Sequence, residues 1–515
     1  MKRPYAFLSL FIFAHMCIKT SSTTLSQTFT EANNLLINKK YTQAIELYKK
    51  IIALKPDVPG LYFNAGYACK LAKNYPDAIA YLSRVVEIKP NWTKAYSLLG
   101  EIYLAIDECE LALKHLYKAI KLNPQSENDH INFASTLIRQ KNYPEAEKYL
   151  KKFVKKFPKN TILTYNLAYI LRIQGKEKEA IPYYLQALET DPSFDTARLG
   201  IAKAYLATGQ LKKGWNYFEY RFQNNKISHK KFDHHTLVPA DLTNKTVLLK
   251  YEWGLGDMMQ FIRYAKLIKS YGATILVSIQ KPLQKLFSLC PYIDKIVNVG
   301  DRVPKIDYKI PILSLPLLFN TTLETIPANI PYLYADEKLI SLWRNKLSHN
   351  KNFKVGICWH AKPIFLENNY LTRRTVPLKD FEPLANIKNT TLYSLQKIYG
   401  LEELDNLPDN FNIATFGPDF DETNGRFMDT AALIENLDLV ITADTSIVHI
   451  AGALGKPVWI LVPYVAEWRW LQKSNRTPWY PKARLFRQKQ PSDWTHVIKE
   501  VTKELEKHIN NNPQK

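Results

Sequence analysis

Leu99-Gly100-Glu101-Ile102-Tyr103, then Ala112-Leu113-Lys114-His115-Leu116, then Leu122-Asn123-Pro124 are the fixed points of a stretch that recurs through the first half of the chain. Its closing residue belongs to a series, Pro56, Pro90, Pro124, Pro158 and Pro192, at a constant interval of 34 residues. Twelve residues before each proline stands a small residue, Ala44, Ala78, Ala112, Ala146 or Ala180. Four residues later comes a large one, Tyr48, Leu82, Leu116, Leu150 or Tyr184, on the same face of a helix. Earlier in the units Gly66, Gly100, Ala134 and Ala168 hold a second close-contact position, and Tyr103, Leu137 and Leu171 follow three residues on. The proline ends the second helix of each pair, because it lacks an N–H and clashes with the preceding turn. A sixth unit, residues 195–222, keeps Gly214 and Phe218 in register but has no closing proline. Residues 25–222 therefore read as stacked helix pairs, five full and one partial.

This interval and these small and large positions resemble the tetratricopeptide family. The resemblance implies a right-handed superhelix whose concave groove takes a protein or peptide partner, while naming none. A purely architectural role, propping or dimerising the C-terminal half, stands beside it.

The 515 residues suffice for about three domains. The formal charge of +22 invites a nucleic-acid reading, but the lysines are scattered and no basic block alternates with stacking aromatics, so nucleic acid is excluded as partner. Attraction to an anionic membrane surface or glycan stays open. Residues 1–22 look like a secretory signal: Lys2 and Arg3 precede an apolar run, and Thr20-Ser21-Ser22 offers small residues for cleavage. Five cysteines, Cys17, Cys69, Cys109, Cys290 and Cys358, form no C-x-x-C pair and read as buried free thiols.

Residues 223–243 are a polar linker, and His229, His234 and His235 beside Asp233 lack the fixed spacing of a metal site. From Thr246 the pattern becomes strand, glycine turn, helix, strand, which is the βαβ unit of a parallel sheet. Strands are predicted at 246–251, 273–279, 295–299 and 308–310, with the first helix at 258–270. A second series is predicted at 354–359, 391–395, 411–415, 437–442 and 457–462. The fold class is therefore α plus α/β: helical repeats, then two Rossmann-like lobes at 244–348 and 353–515. Sites in such sheets lie at the carboxyl ends of strands.

Three loops there carry chemistry. Gly254-Leu255-Gly256-Asp257 joins strand to helix; its glycines permit close approach of a ligand, and Asp257 is a general base or, failing that, the cap of a helix starting at Met258. A nicotinamide-binding fingerprint fails, because Met259 replaces the third glycine and Ile279-Gln280-Lys281 has no acidic residue. Ala443-Asp444-Thr445-Ser446 precedes a helix at 447–454 that Gly455 ends; its hydroxyls and free N–H groups suit a diphosphate, with His449 one turn on as a further donor. Against this, Ser446 reads as a plain cap and His449 as a packed core residue. Trp359-His360-Ala361-Lys362, Arg373-Arg374 and Ser394-Leu395-Gln396 meet the same edge; arginine suits phosphate, and glutamine suits a base or sugar.

The segments Tyr251-Glu252-Trp253-Gly254-Leu255-Gly256-Asp257, Arg374-Thr375-Val376-Pro377-Leu378, Asp429-Thr430-Ala431-Ala432 and Asp444-Thr445-Ser446-Ile447-Val448-His449 resemble glycosyltransferase family 9, the ADP-heptose:lipopolysaccharide heptosyltransferases. Glu467-Trp468-Arg469-Trp470 and Pro478-Trp479-Tyr480-Pro481 are similar to its repeat-bearing branch. The resemblance implies a two-lobed GT-B fold and inverting, metal-independent transfer from a nucleotide diphosphate sugar, with no cofactor. The lobe at 244–348 would take the acceptor and that at 353–515 the nucleotide sugar. Asp257 would be the general base, and Gly254, Gly256, Arg374, Gln396, Asp444, Thr445, Ser446 and His449 the substrate-binding set, the repeats recruiting a protein or glycan acceptor. Trp253 departs from the family's usual glutamine, and His360-Ala361 from its small residues. The rival readings are a non-catalytic scaffold with a degenerate transferase domain and a protein O-glycosyltransferase. The signal-like start suggests export or membrane association, whereas the donor chemistry suggests the cytoplasm.

Overall fold

The computed structural model describes residues 23–222, 242–298, 301–361 and 374–511. The signal-like segment with Cys17, the three linker histidines, Lys362 and Arg373 lie outside them. The chain divides into two compact units, residues 1–171 with 186–192, and residues 172–185 with 193–515. Among the described residues no helix is long and apolar enough to cross a membrane.

Twelve helices run from Thr23–Ile37 to Leu211–Phe218, paired as the 34-residue interval predicts. The residues before the prolines are pushed out of the helical region, as the following ring demands: Lys55, Lys89 and Asn123 have φ of −139°, −134° and −137°. In the first unit Ala44, Ala78, Ala112 and Ala146 are fully buried, as are Leu82, Leu116 and Leu150. Each such leucine contributes about 1.5–3 kcal/mol through burial. The close-contact glycines are there because a leucine fills the space of their missing Cβ: a Cβ on Gly66 would lie 2.8 Å from Leu82 Cγ, and one on Gly100 2.5 Å from Leu116 Cγ.

The second unit holds two wholly parallel sheets. The first has β1 (Thr246–Lys250), β2 (Thr274–Ser278), β3 (Lys295–Val297) and β4 (Tyr308–Pro311) in the order β3-β2-β1-β4. The second comprises β5 (Phe353–Cys358), β6 (Thr390–Ser394), β7 (Ile413–Ala414), β8 (Leu439–Ala443), β9 (Val458–Val462) and β10 (Ala483–Arg487) in the order β10-β9-β8-β5-β6-β7. β8 and β9 are buried throughout, which is why they read as unbroken apolar runs. β10, which the sequence pattern does not predict, pairs with β9 over five residues.

In both sheets the chain builds outward in one direction and then returns to the other side of its first strand. The direction reverses between β1 and β4 and between β5 and β8, and crevices for ligands open at such reversals. One continuous core joins helices of both sheets with the sixth repeat: Trp215 packs edge to face on Phe261 and on Trp468, at 6.2 and 5.3 Å. The sixth repeat thus packs as part of the sheet unit, although its sequence groups it with the array. The other face of the second sheet is covered by the helix Trp494–Asn511 through Val497, Ile498, Val501 and Leu505.

Candidate functional site

The loop after β1 is pinned at every residue. Tyr251 N donates to Ser278 O at 3.0 Å. The Glu252 carboxylate accepts two bonds from Arg221 of the sixth repeat, both 3.0 Å, and one from Leu313 N at 3.1 Å. Trp253 O accepts from Gln280 Nε2 at 3.2 Å. Trp253 itself has φ of +54°, a left-handed conformation costing a bulky residue about 1–3 kcal/mol, which persists because its neighbours fix the chain on both sides.

The helix then begins at Leu255, three residues earlier than expected, with Gly254 as its cap. Asp257 is therefore not the cap residue but the third of the helix, reaching back so that Oδ2 accepts from Gly254 N at 2.9 Å. Its Oδ1 accepts from Arg469 Nη2. Arg469, from the turn Trp468–Trp470, also donates through Nε to Gln260 Oε1 and pairs with Glu467 at 2.9 Å. Burial opposes its charge, but Glu467, Asp257 and Asp444 together hold its pKa above the ordinary arginine value. Burial pushes the Glu467 carboxyl up, with Arg469 opposing.

Gly256 was expected to let a ligand approach the backbone. What approaches is His449: a Cβ there would lie 2.6 Å from its Cδ2. The His449 Nδ1 shares a 2.7 Å hydrogen bond with Tyr480 OH, and the ring stacks on Trp470 at 6.0 Å. Burial first, then Arg469, Arg263 and Arg374, hold its pKa well below the usual histidine value, so the imidazole is neutral. It is enclosed as a joint between the helices Leu255–Phe261 and Ser446–Leu454, rather than aimed at an open anion site.

The second loop follows β8. Thr445, not Ser446, caps the helix Ser446–Leu454, its Oγ1 accepting from Ile447 N at 3.2 Å, and Gly455 closes the helix at φ +81°. Arg374 Nη1 donates to Asp444 O at 3.2 Å and lies 4.0 Å from Asp444 Oδ2. Two buried polar atoms here have no hydrogen-bond partner, Arg374 Nε and Asp444 Oδ2. Buried polar groups are seldom left so, and each such atom calls for a missing partner.

Gln396 faces inward. Its oxygen accepts from Trp359 N and His360 N at 3.1 and 2.8 Å, and its nitrogen donates to His360 O and Tyr399 O at 3.0 and 2.8 Å. The amide is engaged in tying the ends of β5 and β6 together, so the expected contact with a base or sugar would have to displace these bonds. Asp429 likewise accepts from Trp343 Nε1, Asp421 N and Asn424 Nδ2 within its own fold.

Two site residues carry no role on sequence grounds. Arg469 sits between two tryptophans in a quoted motif, and that setting for an arginine was the only signal. Lys203 comes from the sixth repeat, whose helix Asp195–Ala207 packs on the turn Trp468–Trp470. Its side chain is exposed, and the protein atoms gathered around it pull its pKa down to about 8, with Arg172 adding to the effect and Glu467 opposing it. Cys69, Cys290 and Cys358 are buried free thiols, whereas Cys109 is only half-buried. Among the described residues no three His, Cys, Asp or Glu side chains are grouped to hold a metal ion.

Family models described as tetratricopeptide repeat match residues 35–102 and 131–193, and one described as anaphase-promoting complex, cyclosome, subunit 3 matches residues 71–153. The first half of the chain is thus built of tetratricopeptide repeats. Among whole proteins the chain is 22% identical over 482 residues to Protein FlbA of Caulobacter vibrioides, covering 79% of this chain and 77% of that one. It is 26% identical over 188 residues to the Protein O-mannosyl-transferase TMTC3 of Homo sapiens, covering 35% of this chain but 20% of that protein. The TPR repeat-containing protein MJ1428 of Methanocaldococcus jannaschii is 28% identical over 290 residues, 53% of this chain and 44% of that one. Among solved structures MamA matches at 21% identity and a TM-score of 0.31, covering 33% of this chain and 92% of that one.

Proposed function

We propose that the second unit is an inverting glycosyltransferase of GT-B type that draws on a nucleotide diphosphate sugar. The observation that carries the reading is the pair of buried atoms without a hydrogen bond, Arg374 Nε and Asp444 Oδ2, beside the capped helix start at a chain reversal. A donor supplies what both lack: phosphate oxygens to accept from Arg374 and the first helical N–H, and a sugar or ribose hydroxyl to donate to Asp444. Asp257, at the other sheet's reversal, takes the proton from the acceptor hydroxyl as its oxygen bonds to the anomeric carbon. The bond from that carbon to the phosphate oxygen breaks, and the nucleoside diphosphate leaves with the electron pair, its charge met by Arg374 and the helix N-terminus. Arg469 holds Asp257 in place, and His449 sets the spacing of the two helices.

FlbA's printed name states no activity. The match to TMTC3, a protein O-mannosyl-transferase by name, accords with sugar transfer but spans a fifth of that protein and selects no donor. A second reading, a repeat scaffold with a silent transferase domain, draws on the engagement of Asp257 by Arg469 and of Gln396 by its own loop. Asp257→Asn decides between them. On the transferase reading it lowers transfer from the productive member of a UDP-, GDP- and ADP-sugar panel by about 10²–10⁴-fold with nucleotide binding unchanged, both measured below the variant's own melting transition, which falls because Arg469 loses its carboxylate partner. Turnover equal to wild type rejects Asp257 as the base, and calorimetry without heat from any panel member favours the scaffold.

A further inference from the structure

The loop that leads into the helix of Asp257 also presents a large aromatic to water. Trp253 is 51% exposed, and Tyr251, two residues before it, is 50% exposed. Half-exposed tryptophan in a loose loop needs no explanation, but this loop is held by Arg221, Gln280 and Asp257, and it places a bulky residue at φ +54°. The indole packs on the buried ring of Phe218 in a T-shaped contact, at 5.3 Å and 71°. Phe218 belongs to the sixth repeat and packs in turn on Trp215 and Trp468. The fold therefore holds an indole on the loop four residues before Asp257, supports it with Phe218 and leaves it half exposed.

We infer that Trp253 is the stacking platform of an acceptor subsite, and that the acceptor is a pyranose whose C–H face lies on the indole while its hydroxyl points to Asp257. The indole face carries negative charge density and attracts the weakly positive C–H groups of a sugar ring, and a platform with few rotatable bonds binds with little loss of conformational freedom. A pyranose satisfies both neighbouring groups at once, offering C–H bonds to the ring and a hydroxyl to the carboxylate. The inference rests on the transferase reading for the role of Asp257, but the sugar subsite can be tested without turnover.

The test uses the full chain and methyl glycosides of the gluco, galacto and manno series, with a serine- and tyrosine-containing heptapeptide as the competing class. Binding is followed by saturation-transfer NMR and by quenching of tryptophan fluorescence. At least one glycoside should bind saturably. Trp253→Ala should weaken it tenfold or more, Trp253→Tyr should retain part of the affinity, and both variants should melt as the wild type does. Absence of glycoside binding to the wild type, equal binding by Trp253→Ala, or binding of the peptide alone overturns the inference. If glycosides bind through Trp253 but no nucleotide sugar binds, the platform stands and the transferase reading fails.

Discussion

Gly100 and Gly256 are glycines for the same steric reason and belong to different kinds of contact. A Cβ on Gly100 would meet Leu116 Cγ at 2.5 Å, and one on Gly256 would meet His449 Cδ2 at 2.6 Å. Leu116 lies in the partner helix of the same repeat, so the pair recurs as Gly66 with Leu82 and is visible as a period. His449 lies in the other sheet's helix, in a contact that occurs once. A repeated local contact announces itself in sequence; a single distant one makes the same glycine look like a ligand-binding residue.

The sharpest way to break that comparison is to cut the chain. The sequence places the end of the array at Phe222, but Trp215, Phe218 and Arg221 belong to the core and loops of the sheet unit. Residues 223–515 alone would uncover Phe261 and Trp468, take Phe218 away from Trp253 and leave Glu252 without its guanidinium, at about 1.5–3 kcal/mol for each large side chain uncovered. That fragment should lack a cooperative thermal transition, whereas residues 159–515 should keep one. Cooperative melting of the shorter fragment would restore Phe222 as a domain boundary.

Next in size are the glycines themselves. Gly100→Ala and Gly256→Ala should each cost about 1–3 kcal/mol in urea unfolding, as overpacked sites do. Each cost should shrink by about 1 kcal/mol or more when the obstructing side chain is removed, Gly100→Ala in a Leu116→Ala background and Gly256→Ala in a His449→Ala background. Additive costs at Gly256 would mean that His449 is not what excludes the side chain.

Smaller still is a proton effect. The unfolded chain protonates a histidine near pH 6.5, whereas folded His449 resists until well below that value. In that window the unfolded state binds more protons, so stability falls as pH drops below about 6.5, by at most about 1.4 kcal/mol per pH unit for this residue. His115 and His130 of the repeats are also pulled down by burial and carry the same sign. Glu467, pushed up by burial, acts in the opposite sense above about 4.3. The measurement is therefore the difference between wild type and His449→Gln from pH 6.5 to 5, which should show the variant's curve flatter. Parallel curves would leave His449 with no part in the pH dependence.

How much was legible divides in the same way. The helix pairs were readable because Ala112, Leu116 and Pro124 recur, and β8 and β9 because strands buried on both faces are apolar throughout. The start at Leu255 was not, because Gly254 caps through a carboxylate three residues on instead of its own side chain. Nor were the Arg469–Asp257 pair, whose members stand 212 residues apart, or the engagement of Gln396, which depends on where two strand ends meet. Residue types in the loops indicated which groups could act, and packing decided which of them were already held.

The smallest prediction separates a structural cap from one placed in a site. Ser126 caps a repeat helix by accepting from Asp129 N, and Thr445 caps Ser446–Leu454 by accepting from Ile447 N. Losing either hydroxyl should cost about 1 kcal/mol. In Ser126→Ala stability should be the whole effect, because this end lies in the repeat array, outside the proposed donor site. Thr445→Ala should also weaken binding of the productive nucleotide sugar, because the hydroxyl fixes the first N–H groups beside Asp444 and Arg374. Thr445→Ser restores the oxygen and should restore both quantities, so the alanine and serine variants are compared by calorimetry and urea unfolding together. Nucleotide affinity that stays at wild-type level in Thr445→Ala would make this cap no different from that of Ser126 and would remove the helix start from the proposed donor site.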